Sequence, residues 1–272
     1  MLPDKETRIL IYNLAAVAAI IVFFIYNFCQ LKRKKQTMSL LSQYISVKQN
    51  NKDKPSRILG NLTFLAVIET IICVVFFYSP ASLNFAFGNL VGTGANYFAL
   101  MFSLPVFISV MSVALWLDPL KQSDISVPGL PLALVFTKIA CFTSGCCNGI
   151  WWVGGPYSYR HSREEFPVQL VEAAVAFLLF VFLLWYQKRA KKGTVLPMYT
   201  ILYGLTRFVT EFWREDEMFW RNLRLYQILC IISVVVGVIE LIVVLKYGDK
   251  ISRYFENSFY FSRERYRKIF KR

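Results

Sequence analysis

The sequence is poor in histidine and in acidic residues. Its 272 residues include one histidine, His161, and 17 Asp and Glu against 31 Lys and Arg. No histidine or acid stands at ligand spacing from Cys141, Cys146 and Cys147, so these cysteines make a poor zinc set. The six cysteines predict no disulfide framework, and the chain has no internal repeat, low-complexity segment or Gly-Ser linker. These absences argue against a metal centre and against a string of linked domains.

Apolar and aromatic residues are abundant instead. Hydrophobic residues make up 56% of the chain, with 24 Phe, 15 Tyr and 6 Trp, more than a soluble core of this length can bury. Runs of about 20 apolar residues can cross the roughly 30 Å hydrocarbon layer as helices. Seven such runs occur, at 9–31, 58–78, 97–117, 130–147, 166–186, 194–213 and 225–245. The sequence predicts an all-α integral membrane protein with about seven transmembrane helices.

The distribution of Lys and Arg between these runs predicts their orientation. Alternate connecting segments hold 22 and 7 of them, and the rich ones are 32–57, 118–129, 187–193 and 246–272. Since cytoplasmic loops are enriched in Lys and Arg, we expect the N-terminus outside and the C-terminus in the cytoplasm. The first run is followed by four consecutive cations and no cleavage site, which predicts a retained span. The net charge of +14 is explained by this anchoring and requires no nucleic acid.

Two parts of the chain are distinguished by composition. Residues 1–245 are expected to form the seven-span membrane domain, and 246–272 a cytoplasmic tail in which Lys and Arg alternate with aromatic residues. Such a tail suits a surface of anionic lipid, at about 1 kcal/mol for each cation. Plain anchoring of the last span is the alternative.

Six charged residues fall inside the apolar runs. A charge at mid-bilayer costs roughly 2.5–3.5 kcal/mol and normally faces the bundle interior, so each is a functional candidate. With a rise of 1.5 Å per residue, three of the helices bring their charges together in the outer half of the bilayer. Lys138 and Arg207 would attract a phosphate there, and the phosphate at that depth is a lipid headgroup. The alternative is an ion pair within one helix that only satisfies Arg207. The six residues are Glu69, Lys138, Glu172, Arg207, Glu211 and Glu240.

Four motifs resemble, in order, the signature of bacterial prolipoprotein diacylglyceryl transferases. Residues 137–149, TKIACFTSGCCNG, are similar to Gly-Arg-x-Gly-Cys-Phe-x-x-Gly-Cys-Cys-x-Gly. Residues 167–172, PVQLVE, resemble Pro-x-Gln-Leu-Tyr-Glu, and 203–214, YGLTRFVTEFWR, resemble Tyr-Gly-x-x-Arg-Phe-x-x-Glu-x-x-Arg. Gln227 is similar to the glutamine that follows the last outer loop of the family. The order and spacing agree across about 118–245.

The resemblance implies an activity and its substrates. The diacylglyceryl group of phosphatidylglycerol would move to the lipobox cysteine thiol of a prolipoprotein, with release of glycerol phosphate, in the bacterial plasma (inner) membrane. No cofactor is implied. The catalytic residues implied are Arg207, Lys138, Glu211 and Tyr203. The residues implied to bind phosphatidylglycerol are Lys138, Arg207, Gly149, Gln169, Glu172 and Gln227.

The roles of these residues follow from the same resemblance. Arg207 and Lys138 would bind the phosphate and stabilise its charge as it leaves. Tyr203 and Glu211 would orient Arg207, and Gly149 would let the backbone approach the headgroup.

The chain departs from the family pattern at several positions. Lys138 replaces an arginine, Ala140 a glycine, and Phe166 a histidine that often precedes the second motif. A His-Gly-Gly motif upstream of Asp124 is absent, and its histidine is a candidate base for the incoming thiol. His161 could replace that base if its loop folded over the cavity, and a solvated loop histidine is the alternative.

Two other functions are compatible with the sequence. A non-catalytic relative that binds anionic lipid or a lipobox peptide is favoured by the missing motif. A small transporter would use the buried charges as a substrate path, but the paired broken helices typical of transporters are not evident. The Gly-rich, uncharged residues 85–98 are either a re-entrant element over the cavity or an ordinary loop.

Overall fold

A computed structural model describes residues 5–33, 118–145, 147, 149–158, 163–215, 218–220 and 223–270. The predicted spans 58–78 and 97–117 lie outside the described residues, as do residues 85–98, Cys146 and His161. The predicted spans can therefore be compared with the structure at 9–31 and from 130 onwards.

The described part of the chain is mostly helical. Its helices are α1 (Lys5–Arg33), α2 (Pro119–Ser126), α3 (Gly129–Ser144), α4 (Val168–Tyr186), α5 (Val195–Thr210) and α6 (Leu225–Phe270). A 3-10 turn, Glu211–Trp213, continues α5. Two antiparallel ribbons pair β1 (Tyr157–Ser158) with β2 (Arg163–Glu164), and β3 (Met218–Trp220) with β4 (Leu223–Arg224). These ribbons are a small addition to the all-helical fold that the sequence predicts.

Three described helical segments are long and apolar enough to cross a membrane. They are Pro119–Ser144, which joins α2 and α3, Val168–Tyr186 and Leu225–Tyr254. With 16 residues, α5 rises about 24 Å, which is less than the roughly 30 Å hydrocarbon layer. The apolar part of α1, Val17–Gln30, is also shorter. The fold is that of a mostly helical membrane protein, while the seven spans and their orientation stay predictions.

Two helices extend beyond the predicted apolar runs. α2 lies within 118–129, which hydropathy assigns to a connection, and it begins because the Asp118 side chain accepts a 3.0 Å hydrogen bond from the Leu120 amide, with a proline at the first helical position. α6 has 46 residues, which rise about 69 Å. The predicted cytoplasmic tail therefore continues the last span as helix to Phe270.

The helices pack through buried apolar residues and close backbone approaches. Tyr199, Leu183 and Val195 are fully buried in the core between α3, α4, α5 and α6. A Cβ on Gly204 would lie 3.0 Å from the carbonyl oxygen of Cys230, and one on Gly237 would lie 2.8 Å from the Ile201 side chain. Small residues let membrane helices approach this closely, so α5 is held firmly against α6.

Asp124 fixes the beginning of α5 from outside that helix. Its carboxylate accepts hydrogen bonds of 2.6 Å from the Gly193 amide and 3.1 Å from the Val195 amide. Thr194, the residue at the N-cap of α5, makes no capping bond with its own side chain. The amide groups at the helix start are therefore satisfied by an aspartate of α2, which sets the axial position of α5 and of Arg207 upon it.

A buried polar cluster joins three elements at the opposite end of the bundle from the ribbons. Asp118 Oδ2 accepts a 2.5 Å hydrogen bond from Ser252 of α6 and pairs with Lys192 Nζ, which also bonds to Ser252. Asp118 is 2% exposed. We call Asp118, Lys192 and Ser252 the Asp118 clamp, since they tie α2, the α4–α5 connection and α6 together.

The Asp118 clamp predicts a pH-dependent stability. Burial raises the pKa of Asp118, but the hydrogen bonds from Lys192 and Ser252 and the charge of Lys192 outweigh it, so the pKa lies below its ordinary value. The contribution is therefore complete above the unfolded-state pKa of about 3.9 and is lost as pH falls through the lower folded-state pKa. Asp118→Asn should cost about 1–3 kcal/mol at pH 7, and the difference from wild type should shrink below about pH 4.

Thermal unfolding of both proteins in detergent at a series of pH values measures this difference. A stability difference that stays constant down to the lowest pH would contradict the ionised clamp. Asp249→Asn, at an exposed position of α6, is the control and should change little.

At the other end of the bundle, the loop between α3 and α4 folds back over the helix ends. The Ile150 amide donates a 3.0 Å hydrogen bond to the Trp213 carbonyl, and the Phe166 amide donates a 2.9 Å bond to the Ile150 carbonyl. Residues 149–151 thus lie between two other extended segments, 213–214 on one side and 164–166 on the other. We call residues 149–151 the middle segment. We call this end, where α3 and α5 finish and α4 begins, the ribbon end, and it is the side predicted to face outward.

Candidate active site

Glu172, near the ribbon end of α4, is the centre of an ion cluster. Its Oε2 lies 2.5 Å from Lys138 Nζ on α3, and its Oε1 pairs with Arg207 Nη1 on α5. Arg214, just beyond the 3-10 turn, donates from Nε to Oε1 and from Nη2 to Oε2, both at 3.2 Å. A single carboxylate therefore gathers three cations from three parts of the chain.

Arg207 is also bound on its second side. Its Nη2 lies 2.9 Å from Oε2 of Glu211, one helical turn further along. The backbone carbonyl of Glu211 accepts a hydrogen bond from Arg224 Nη1, and the Arg207 guanidinium lies 5.9 Å from the ring of Tyr226. The pair within α5 thus exists, but Arg207 is bound across helices as well, so the pair does not account for the whole arrangement.

The end of α5 places Arg214 within reach of Glu172. The helix tightens into the 3-10 turn, and the backbone of Arg214 is extended, with φ −101° and ψ 153°. This extended backbone forms a bridge with Gly149 in the middle segment at the ribbon end. The side chain of Arg214 enters the cluster while its backbone joins the loop between α3 and α4, which couples that loop to the site.

The ion cluster is buried and carries a positive charge. Glu211 is fully buried, Glu172, Arg207 and Arg214 are at most 6% exposed, and the Lys138 side chain is 14% exposed. Among the described residues, the three cations that contact Glu172 thus face two carboxylates, and Arg224 adds a further cation at the Glu211 carbonyl. Charges removed from water require compensation by opposite charge. The net positive charge makes this a site suited to an anion.

A small cavity adjoins the ion cluster. Its polar wall is formed by Lys138, Glu172, Tyr203, Thr206, Arg207 and Thr210. Its apolar wall, further from the ribbon end, is formed by Leu134, Val175, Ala176 and Leu179. A cavity that is cationic at one end and apolar at the other matches a molecule with an anionic head and a hydrocarbon chain.

The structure gathers most of the site residues predicted from the sequence. Lys138, Glu172, Arg207 and Glu211 all belong to the ion cluster, and the buried Tyr203 lies in the cavity wall one turn before Arg207. Gly149, Gln169 and Gln227 stand apart from the cavity wall. Gln169 Nε2 donates a 2.7 Å hydrogen bond to the Cys147 carbonyl, and Gln227 Oε1 accepts a 3.0 Å bond from the Arg224 amide. Their predicted roles in binding lipid stay predictions.

Sequence reasoning left three residues of the site without a role. Arg214 belongs to the third motif and lies on the same helix face as Arg207. This placement is the sequence signal that identifies it as a candidate site residue. Its direct bonds to Glu172 depend on the 3-10 turn, which the motif does not show. Thr206 and Thr210 line the cavity, and Thr210 Oγ1 lies 3.4 Å from Glu172 Oε1. Threonine in an apolar helix carries no comparable signal.

Two cysteines of the first motif lie near the end of α3. Cys141 is buried and Cys147 is partly exposed. Within the described ranges, no group of three His, Cys, Asp or Glu side chains could hold a metal ion.

Gly149 makes a close contact that predicts the effect of its substitution. It is buried, and a Cβ at this position would collide with the backbone carbonyl oxygen of Phe166. Gly149→Ala must displace one of two hydrogen-bonded segments and should destabilise the protein by about 1–3 kcal/mol, the usual cost of overpacking. The position of Arg214 should be disturbed as well, because the same segment bridges Arg214.

Gly248→Ala is the matched control for this substitution. A Cβ there would meet its nearest atom, Val244 Cγ1, at 3.5 Å, an ordinary contact, and alanine favours helix by about 1 kcal/mol over glycine. Thermal unfolding in detergent measures both variants. An unchanged unfolding temperature for Gly149→Ala would contradict the packing described for the ribbon end.

Comparison with known proteins agrees with the motifs and the geometry. The family model described as prolipoprotein diacylglyceryl transferase matches residues 4–243. The phosphatidylglycerol–prolipoprotein diacylglyceryl transferase of Clostridium tetani is 37% identical over 108 residues, covering 36% of this chain and 43% of that protein. Transferase 2 of Clostridium perfringens is 31% identical over 184 residues, covering 61% and 69%.

The share of each relative that this chain matches differs between the proteins. The transferase of Chlorobaculum tepidum is 29% identical over 150 residues, covering 47% of this chain and half of that protein. The chain thus spans less than two thirds of the Clostridium tetani and Chlorobaculum tepidum proteins that it matches. The family model nevertheless covers nearly the whole sequence, including every residue of the ion cluster. The chain belongs to the prolipoprotein diacylglyceryl transferase family.

Proposed function

We propose that this protein transfers the diacylglyceryl group of phosphatidylglycerol to the cysteine thiol of a lipobox-containing prolipoprotein. The observation that carries the proposal is the buried ion cluster, in which Lys138, Arg207 and Arg214 surround Glu172 beside an amphipathic cavity. The names of the related proteins supply the donor and the acceptor class. The family to which the chain belongs supplies the reaction type.

The reaction exchanges one bond at carbon for another. The acceptor sulfur forms a bond to the glyceryl carbon that carries the phosphate ester, and the carbon–oxygen bond breaks with its electron pair on the departing glycerol phosphate. A phosphodiester with one negative charge becomes a monoester whose second ionisation lies near pH 6. The thiol proton passes to the solvent or to this monoester. The phosphate group therefore gains negative charge as the reaction proceeds.

Cations that meet this growing charge accelerate the reaction. Interactions that strengthen in the transition state lower the barrier, and buried donors need little reorganisation. Lys138 has the largest exposed fraction of the three cations and lies in the cavity wall, so its ammonium group is the first available to the phosphate. Arg207 lies beside it with its planar guanidinium fixed by Glu172 and Glu211.

The carboxylates hold the cations in place before substrate enters. Three like charges within one pocket would repel each other at short distance, and Glu172 contacts all three. Glu211 and Tyr203 flank Arg207 along α5 and restrict its position. Their role is to position cations, while Lys138 and Arg207 are the catalytic residues in contact with phosphate.

The membrane setting follows from the predicted topology. We infer that the protein is a multi-pass protein of the bacterial plasma membrane, with the ribbon end outward and the tail of α6 in the cytoplasm, near anionic lipid. In that orientation the cavity opens in the half of the bilayer from which both the lipid donor and a secreted acceptor arrive. The support is the uneven distribution of Lys and Arg between the predicted spans.

An assay in vesicles tests the proposed function. Purified protein in phosphatidylglycerol vesicles receives a lipobox peptide, and the released glycerol phosphate and the peptide mass are followed together. We expect a diacylglyceryl mass gain with one glycerol phosphate released for each modified peptide, and no gain when the peptide cysteine is replaced by serine. Binding of phosphatidylglycerol without mass gain would favour a lipid-binding relative that lacks the chemistry.

A further inference from the structure

The loop between α3 and α4 exposes a compact set of large apolar side chains. Trp151 is 62% exposed, Trp152 48%, Val153 67% and Tyr157 50%. No charged residue occurs between Lys138 and Arg160 in the sequence. Large exposed apolar patches outside a membrane span mark sites that bind another protein or a membrane. We call residues 150–157 the aromatic tip.

The aromatic tip lies beside the ends of the membrane helices. The Trp152 ring is 4.9 Å from the Phe166 ring, and Phe166 is 5.5 Å from the Trp213 ring. Phe166 stands just before the first turn of α4, and Trp213 ends the 3-10 turn that continues α5. These ring contacts hold the base of the tip against the start of α4 and the 3-10 turn that follows α5.

Exposed apolar side chains also occur on the two helices whose ends lie beside the aromatic tip. Leu170 on α4 is 40% exposed, and Val209 and Phe212 at the end of α5 are 50% and 57% exposed. Trp213, whose ring stacks on Phe166, joins these residues to Trp152. Exposed apolar side chains at the ribbon end thus come from α4, from the end of α5 and from the tip.

The described charges of the loop, Arg163, Glu164 and Glu165, lie on its returning segment and are bonded to other groups. Arg163 Nε donates a 3.1 Å hydrogen bond to Glu165 Oε1, and Arg163 Nη1 donates a 3.2 Å hydrogen bond to Glu215 Oε1. Glu164 Oε2 accepts a 2.7 Å hydrogen bond from the Gly154 amide at the turn. Such groups suit the hydrated headgroup layer. Tryptophan and tyrosine suit the boundary below that layer, because their rings are apolar and their N–H or O–H groups bond to headgroups and water.

We propose that the aromatic tip binds the lipid interface of the leaflet at the ribbon end, with Trp151, Trp152 and Val153 seated at the boundary between headgroups and acyl chains. The tip then anchors the middle segment, whose residues 149 and 150 bond to Arg214 and Trp213. The loop is thereby kept beside the cavity, on the side from which a lipid would enter. This interaction is independent of turnover and goes beyond the proposed transfer reaction.

Fluorescence quenching by brominated lipid tests the seating of the tip. The full-length protein is placed in nanodiscs whose phospholipids carry bromine near the carbonyl end of the acyl chains. Subtracting the emission of the Trp151→Phe/Trp152→Phe variant from that of wild type isolates these two residues. Their emission should fall about twofold or more, because interfacial rings lie within the depth of the bromine, and it should resist iodide in the water. Trp185, exposed on α4 at the other end of the bundle, is the positive control.

Two results would overturn the proposal. Quenching by iodide but not by bromolipid would place the tip in water, and resistance to both would show that protein, such as a second copy of the chain, covers it. Val153→Asp gives an independent check, since a carboxylate at the boundary is unfavourable. It should reduce bromolipid quenching about twofold, while Val153→Leu should leave it unchanged. Since Arg207→Ala protein should give the wild-type quenching, failure of the transfer reaction and failure of this proposal are distinguishable.

Discussion

Glu172→Gln is expected to abolish diacylglyceryl transfer and to destabilise the protein by about 3–5 kcal/mol, the cost of removing one partner from a buried ion pair. The carboxylate contacts Lys138, Arg207 and Arg214, and glutamine keeps its size but removes its charge. Three buried cations would then face one carboxylate, that of Glu211. Repulsion between them would move the guanidinium and ammonium groups away from the positions that bind phosphate.

Unfolding temperature and transfer rate are measured together for this variant. Glu240→Gln is the matched control, because Glu240 is an acid of α6 remote from the ion cluster in sequence and is absent from the cavity wall. It should retain both stability and activity. A Glu172→Gln protein with wild-type stability and rate would contradict the role given to this carboxylate.

A double substitution separates stability from catalysis if Glu172→Gln fails to fold. Adding Lys138→Met removes one of the unpaired cations, and replacement of buried charges by neutral groups of similar volume is often tolerated. The double variant should therefore recover part of the lost stability. It should remain inactive, because the ammonium group nearest the open cavity is gone.

Arg207→Ala carries the second large expected effect. The rate of transfer should fall about 100-fold to 1000-fold, the loss expected when one donor to a developing anion is removed. The loss should appear in kcat as well as in kcat/KM, since the phosphate gains charge only during the reaction. Arg207→Lys should recover charge but not the bidentate geometry, and should lie between alanine and wild type.

Arg253→Ala is the control for Arg207. Arg253 is exposed on α6 at the far end of the bundle and bonds to the carbonyl of Asp249. Its removal should leave the transfer rate unchanged. Equal rates for wild type and Arg207→Ala, in proteins of equal stability, would exclude Arg207 from the reaction.

The predicted helices agree with the structure where hydropathy is the dominant signal. The runs at 130–147, 166–186 and 225–245 correspond to α3, α4 and the first half of α6. Their starts agree within two residues, and the second run ends with α4 at Tyr186. α2 was assigned to a connection because its composition is polar, although Asp118 and Pro119 form a helix start signal. Hydropathy measures burial in lipid and is insensitive to a short helix outside it.

The candidate site was accessible to sequence reasoning because buried charges are costly. Lys138, Glu172, Arg207 and Glu211 were predicted from the rarity of charge in apolar runs and from the motifs, and the structure joins them. The central place of Glu172 could not be predicted, since it depends on how α3, α4 and α5 pack. The interactions of Gln169 and Gln227 with backbone groups depend on loop geometry, which helical periodicity does not describe.

The fate of the phosphate tests the central claim most directly. Phosphatidylglycerol labelled with one isotope in its phosphate and another in its acyl chains is incubated with the protein and a lipobox peptide. The account predicts that the acyl label moves to the peptide, that the phosphate label appears only in soluble glycerol phosphate, and that both transfers are lost together in Arg207→Ala. Phosphate label on the peptide, or acyl transfer undiminished in Arg207→Ala, would contradict the assignment of the buried cations to the departing phosphate.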